Sequence, residues 1–125
     1  MGAFVREKAL FYFVIPLVLS CVAASAAVPK DMIGTWRWQE STIEVTECQV
    51  DSICAKVIAG PKNVGKKFLT SKLVAREGDL FAQVADPKTD EIYNTRFQRI
   101  GPDTWHLDGC TQARVCLSGE FVRVK

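Results

Sequence analysis

Short runs of alternating apolar and polar residues, separated by turn signals at close spacing, constrain the fold of this 125-residue chain more than any other feature. Successive side chains of a strand point to opposite faces, so such runs are typical of half-buried β-strands. No run has a clear helical period, and the pattern predicts an all-β domain, either an up-and-down barrel or a sandwich. The predicted strands cover 33–39, 42–48, 54–59, 68–76, 79–85, 91–100, 104–110 and 115–124.

The first and last predicted strands carry residues that suit the closed end of a barrel. Trp36 lies two positions after Gly34, so both residues face the same side of the first strand. Its ring can cover that end, and its N–H needs one polar partner. Arg123 in the last strand can place its guanidinium over the ring, a cation–π contact worth about 1–2 kcal/mol when shielded. The alternative is that these are ordinary core and surface residues of a sandwich.

This Gly-x-Trp spacing with a late arginine resembles the lipocalin and calycin families. Together with the strand count, the resemblance implies an eight-stranded antiparallel up-and-down barrel over residues 28–125. Gly34, Trp36 and Arg123 would be its structural residues.

The first 27 residues have the pattern of a secretory signal peptide. Arg6 and Lys8 give a positive start, 9–23 is almost entirely apolar, and small residues favour cleavage near Ala26 or Ala27. We therefore expect a periplasmic or secreted protein that has no membrane attachment after cleavage, unless Cys21 is lipidated. Without the leader the formal charge is +1, which gives no electrostatic reason to expect nucleic acid as a partner.

The remaining four cysteines predict two disulfide bonds, because an exported domain meets an oxidising compartment. Cys48 and Cys54 flank one predicted hairpin tip, and Cys110 and Cys116 flank another with the same spacing. Residues that face each other across a tip come within bonding distance, so we expect the local pairs Cys48–Cys54 and Cys110–Cys116. Cross-pairing stays open, on the expectation that both tips lie at the same end of the barrel.

The sequence has no convincing catalytic, cofactor or metal signature, and we expect no enzyme. The 60–67 loop approaches a phosphate-binding pattern but has lysine where a magnesium-binding Ser or Thr is required, so we interpret it as a solvated basic loop that could meet an anion at the barrel mouth. His106, Asp108 and Ser118 could be drawn as a triad, but nothing around Ser118 is typical of a nucleophile. A lone histidine also leaves little to bind zinc.

Large aromatic residues occur on several predicted strands, and two interpretations of them stay open. They can form the core, as expected in so small a domain. Some can instead line a ligand pocket at the open end. The ligand-binding candidates are Trp36, Phe81, Tyr93 and Trp105.

Several motifs along the mature chain form one recognisable pattern. They are Gly34-Thr35-Trp36, Cys48, Cys54-Ala55-Lys56-Val57, the stretch 85–93, Trp105, Gly109-Cys110 with Cys116, and Arg123-Val124. Together they resemble the exported bacterial family described as domain of unknown function 2147. The resemblance implies a calycin-like barrel in the periplasm or cell envelope, and that family has no settled activity.

Two functions are compatible with these features. The first is a monomeric, non-catalytic binding module for a small apolar or envelope-derived ligand, held in a cavity of the barrel. The second is an envelope interaction protein such as a periplasmic protease inhibitor, with a filled barrel and a function carried by the lead-in at 28–32 or by the loops.

Overall fold

A computed structural model describes residues 29–125, and the predicted signal peptide with Cys21 lies outside this range. A single turn of 3-10 helix, Lys30–Met32, precedes the first strand. The all-β, eight-stranded fold expected from the alternating pattern is confirmed. The strands are β1 (Gly34–Trp38), β2 (Ser41–Gln49), β3 (Ser52–Ala59), β4 (Val74–Arg76), β5 (Asp79–Ala85), β6 (Ile92–Gly101), β7 (Thr104–Cys110) and β8 (Cys116–Arg123).

All eight strands belong to one antiparallel sheet in the order β3-β2-β1-β8-β7-β6-β5-β4. The first and last strands pair directly, with Trp36 opposite Arg123. The sheet therefore curls into a half-barrel whose two edge strands are β3 and β4.

The chain between β3 and β4 bridges β3 and β5 at one end of the half-barrel. The Phe68 amide donates to the Ala55 carbonyl of β3 (2.7 Å), and the Ala85 amide of β5 donates to the Phe68 carbonyl (2.9 Å). Because neighbouring strands lie about 4.8 Å apart, β3 and β5 are roughly 10 Å apart here. Phe68 and the adjacent Leu69 are both buried, so the alternation breaks and the strand expected over 68–76 is shortened to Val74–Arg76.

Two disulfide bonds fix hairpins at opposite ends of the sheet. Cys48–Cys54 links β2 to β3 with Cα atoms 5.7 Å apart, and Cys110–Cys116 links β7 to β8 with Cα atoms 4.0 Å apart. Both predicted pairs are confirmed. The expectation that both tips share one end is wrong, because one tip follows β2 and the other follows β7, and successive antiparallel strands run in opposite directions. Cross-pairing is therefore excluded.

Trp36 closes the end of the half-barrel that lies near Cys48. Its side chain is fully buried, and its Nε1 donates to the Met32 carbonyl at 2.8 Å. The Phe121 ring stacks on it at 4.9 Å between centroids. The guanidinium carbon of Arg123 lies 4.4 Å from the ring centroid, so the cation–π contact is present as predicted.

Arg123 also ties the lead-in and the β6–β7 turn to this end. Its Nη1 donates to the Ile33 carbonyl at 2.9 Å, its Nη2 to the Asp31 carbonyl, and its Nε to an Asp103 carboxylate oxygen at 2.7 Å. Gly34 leaves the space for this arrangement: it has φ +145°, and a Cβ there would lie 2.4 Å from Arg123 Nη1. The three predicted structural residues thus form one contact network.

Candidate binding surfaces

Side chains fill the interior of the half-barrel. An interior hollow bounded by Trp38, Tyr93 and Leu107 has a volume of about 10 Å³, which is room for one water molecule. The rings of Phe68, Phe97 and Phe121 occupy the centre, in pairs 5.8 and 6.4 Å apart. A small ligand therefore has no ready-made cavity among these residues.

The structure does not bring the four ligand-binding candidates together. Trp36 is enclosed at the closed end, and Trp105 is buried beneath Arg99, whose guanidinium carbon lies 5.8 Å from the indole centroid. Tyr93 borders the small hollow. Phe81 lies on the outer face of β5, because Leu80, Ala82 and Val84 point inward. Ligand binding by these residues stays a prediction, but they cannot line one pocket as arranged here.

Tyr93 is the described titratable group with a resolved pKa shift. Burial raises the pKa of its hydroxyl above the ordinary value of 10.0, and the nearby charges of Glu91 and Asp86 add to the rise. Asp86 is itself buried and accepts hydrogen bonds from the Thr89 hydroxyl (3.2 Å) and the Lys88 amide (3.3 Å). These bonds organise the 86–90 turn, so the carboxylate has a local structural role.

A groove of about 690 Å³ runs over the outer face of β4 to β7. We call it the face groove. Its apolar part is formed by Val74 and Phe81, and the Arg76 guanidinium carbon lies 4.3 Å from the Phe81 centroid. Arg96 lies beside them and pairs with Asp108 at 3.1 Å, which largely offsets its charge.

A second groove, of about 670 Å³, follows the β3 edge of the half-barrel. We call it the edge groove. Ile53 and Leu69 form its apolar floor, and three exposed lysines surround it. The expectation that the basic 60–67 loop could meet an anion at the barrel mouth included one of these lysines. The other two were missed because they lie outside that loop, and only the fold brings them to the same groove. The lysines are Lys56, Lys67 and Lys72.

His106, Asp108 and Ser118 lie on the outer face but do not have the order of a catalytic triad. His106 Nε2 is 3.8 Å from the Asp108 carboxylate, and Ser118 faces Asp108 across the β7–β8 ladder, while His106 faces Glu120. A triad requires the histidine between the serine and the carboxylate. Within residues 29–125, no group of three or more His, Cys, Asp or Glu side chains could hold a metal ion.

No protein-family model matches the chain, and comparison with curated proteins and with solved structures likewise finds no match. The resemblance to the family of domain of unknown function 2147 therefore stays a prediction. Two disulfide bonds indicate an oxidising compartment. In the described part of the chain, no helix is long and apolar enough to cross a membrane.

Proposed function

We propose that this protein is an exported, non-catalytic interaction module that binds a partner polypeptide on its outer surface. The observation that carries this proposal is the contrast between a filled interior, with a hollow of about 10 Å³, and two outer grooves of nearly 700 Å³ each. Protein partners bind surfaces, whereas a small apolar ligand needs an enclosed pocket that buries most of its area. The filled interior therefore favours the second of the two functions suggested by the sequence.

The disulfide-bonded framework supports this function. Both disulfide bonds lie at hairpin tips, and Cys48 and Cys54 border the edge groove directly. A rigid surface loses little conformational entropy when a partner binds, which increases affinity for a given contact area. Such a framework also suits the periplasm or the extracellular medium, where the leader would send the chain.

Selection of displayed random peptides against the mature domain tests the proposal. We expect enriched peptides whose binding sites, mapped by amide chemical-shift changes in an isotope-labelled domain, fall on the edge groove or the face groove. In parallel, titration with fatty acids should leave the tryptophan fluorescence unchanged, because a hollow of about 10 Å³ is too small for an acyl chain. Trp38 borders this hollow, so its fluorescence would report a fatty acid that entered the interior. Failure to enrich any peptide, together with fatty acids that alter the fluorescence by entering the interior, would overturn the proposal.

The face groove favours a second candidate function, binding of a small amphiphilic envelope-derived ligand. Phe81 and Val74 offer apolar surface there, and Arg76 offers a cation beside it. This arrangement suits a short acyl chain with an anionic head group. Titration with lauroyl-glycine would shift the Phe81 ring resonances in the wild-type domain and leave them unchanged in Arg76→Glu if this function holds; unchanged resonances in the wild-type domain would exclude it.

A further inference from the structure

We propose that the edge groove binds an extended, acidic polypeptide segment, which adds to β3 as a further antiparallel or parallel strand. This inference rests on the proposed function and names the class of partner. It depends on three features of the groove: a free backbone edge, an apolar floor and an unbalanced positive charge.

The outer backbone edge of β3 is free at Ile53, whereas Ala55 and Val57 further along the strand are bonded to Phe68 and Lys66. The Val57 amide donates to the Lys66 carbonyl at 2.9 Å, and the Ala55 carbonyl accepts from the Phe68 amide at 2.7 Å, so these two residues direct their polar groups away from β2. The β2–β3 register is regular from Val57 to Ile53. Because the direction alternates along a strand, Ile53 also points its N–H and C=O away from β2. Among the strands of residues 29–125, none lies beside Ile53 on that side.

The floor of the groove is apolar and incompletely covered. Ile53 packs against the core but keeps part of its surface exposed, and the buried Leu69 lies in the same lining. Within residues 29–125, the curled sheet has no strand between the edge strands β3 and β4. An added strand would place every second side chain over this floor, since its side chains alternate between the two faces.

The rim of the groove carries more positive than negative charge. Lys56 and Lys67 lie opposite each other as bridge partners, which places two like charges side by side. Lys72 borders the same groove, and Glu44, opposite Lys56 in the β2–β3 ladder, is the carboxylate in its lining. In the described part of the chain, none of the three lysines forms an ion pair within 4 Å, unlike Lys66, which pairs with Asp90 at 3.1 Å.

This charge selects the occupant. Lysines on an exposed edge also prevent two copies of a protein from pairing edge to edge, because like charges would meet. A second copy of this chain is therefore disfavoured at the edge groove. A strand whose acidic side chains face the lysines and whose apolar side chains face the floor complements the edge groove in both charge and polarity. Such strand addition obtains affinity from main-chain hydrogen bonds and specificity from alternate side chains.

Three blocked hexapeptides test the inference on the mature domain with both disulfide bonds intact. The first alternates glutamate and valine, the second alternates lysine and valine, and the third is the first with every backbone amide N-methylated. We expect the first to bind and to shift the amide resonances of Ile53 and Lys56. The lysine peptide should bind at least about tenfold more weakly, because its charges repel the rim. The N-methylated peptide should also lose binding, because it cannot donate to the β3 edge.

Paired charge reversals supply a matched control. Lys67→Glu with Lys72→Glu should weaken the acidic peptide about tenfold. Lys62→Glu with Lys88→Glu makes the same change of net charge at exposed positions outside the groove and should leave the affinity within about twofold. An acidic peptide that fails to bind, an N-methylated peptide that binds equally well, or self-association of the domain through β3 would each overturn the inference.

The amide chemical-shift changes caused by the selected peptides distinguish a failure of this inference from a failure of the proposed function. If peptides selected by display shift only residues of the face groove, such as Phe81, the edge assignment is wrong and the interaction module stands. If no selected peptide binds anywhere on the surface, both fail.

Discussion

Arg123 should contribute a large share of the stability of the closed end. Its side chain is 23% exposed and contacts the Trp36 ring, two backbone carbonyls of the lead-in and the Asp103 carboxylate. A shielded cation–π contact contributes about 1 kcal/mol, and each charge-assisted hydrogen bond to a carbonyl about 1 kcal/mol after a discount for solvent. Replacement by methionine, which keeps the apolar stem, should therefore lower the free energy of unfolding by about 3 kcal/mol.

A second substitution, at Gly34, tests whether the Arg123 guanidinium acts through this contact network. A Cβ at this position would collide with Arg123 Nη1 at 2.4 Å, and it would also meet the Lys125 carbonyl at 3.0 Å in a backbone conformation with φ +145°. Gly34→Ala should thus displace the guanidinium in addition to straining the backbone. Part of its cost should disappear once Arg123 is replaced, so the double variant should be more stable than the sum of the single effects by about 1 kcal/mol or more.

Urea unfolding of the four proteins of this cycle, with the disulfide bonds intact, measures the coupling. For a domain of this size, a loss of about 3 kcal/mol corresponds to a fall in Tm of roughly 12–24 °C. Strictly additive effects of Gly34→Ala and Arg123→Met would refute the contact network. A loss below about 1 kcal/mol for Arg123→Met would refute the closing role assigned to the guanidinium.

Three further predictions concern the core, the hairpin bond and alkaline pH. Trp36→Phe should lower the free energy of unfolding in urea by about 1 kcal/mol more than Trp105→Phe. The first change removes the hydrogen bond from Trp36 Nε1 to the Met32 carbonyl, whereas the buried Trp105 Nε1 has no partner within residues 29–125. Equal losses in the two variants would contradict this. Replacing Cys48 and Cys54 by serine should cost about 2 kcal/mol, and an unchanged urea midpoint would oppose it. Since the pKa of Tyr93 is raised, its contribution is fully present below pH 10 and is lost as pH rises through the folded value; Tyr93→Phe should therefore lose less stability above pH 10, and identical alkaline profiles would refute this.

The alternating pattern predicted most of the sheet because each strand keeps one face on the core. Leu80, Ala82 and Val84 all point inward, as a period of two requires. The same period would have placed Phe81 on the outer face, together with Gln83, had it been applied to the ligand candidates. Aromatic character alone was therefore a poor guide to the side of the sheet on which a residue lies.

The edge groove could not be predicted in the same way, because it depends on where the sheet fails to close. The alternation is lost at Phe68 and Leu69, which are buried one after the other. A local pattern cannot say that these residues cross from β3 to β5 and leave Ile53 without a described strand on the side away from β2. The disulfide pairing was predictable because it is local to each hairpin, whereas the relative position of the two tips depends on the directions of the strands before them, which are opposite for β2 and β7.

Amide hydrogen exchange of the unliganded domain tests the open β3 edge most directly. The amides of Val57 and Phe68, which donate to backbone carbonyls across the edge, should exchange slowly, whereas the Ile53 amide should exchange rapidly although its side chain packs against the core. Protection of Ile53 at the level of Val57 would mean that the edge is already occupied, and it would contradict both the open edge and the strand addition proposed for it.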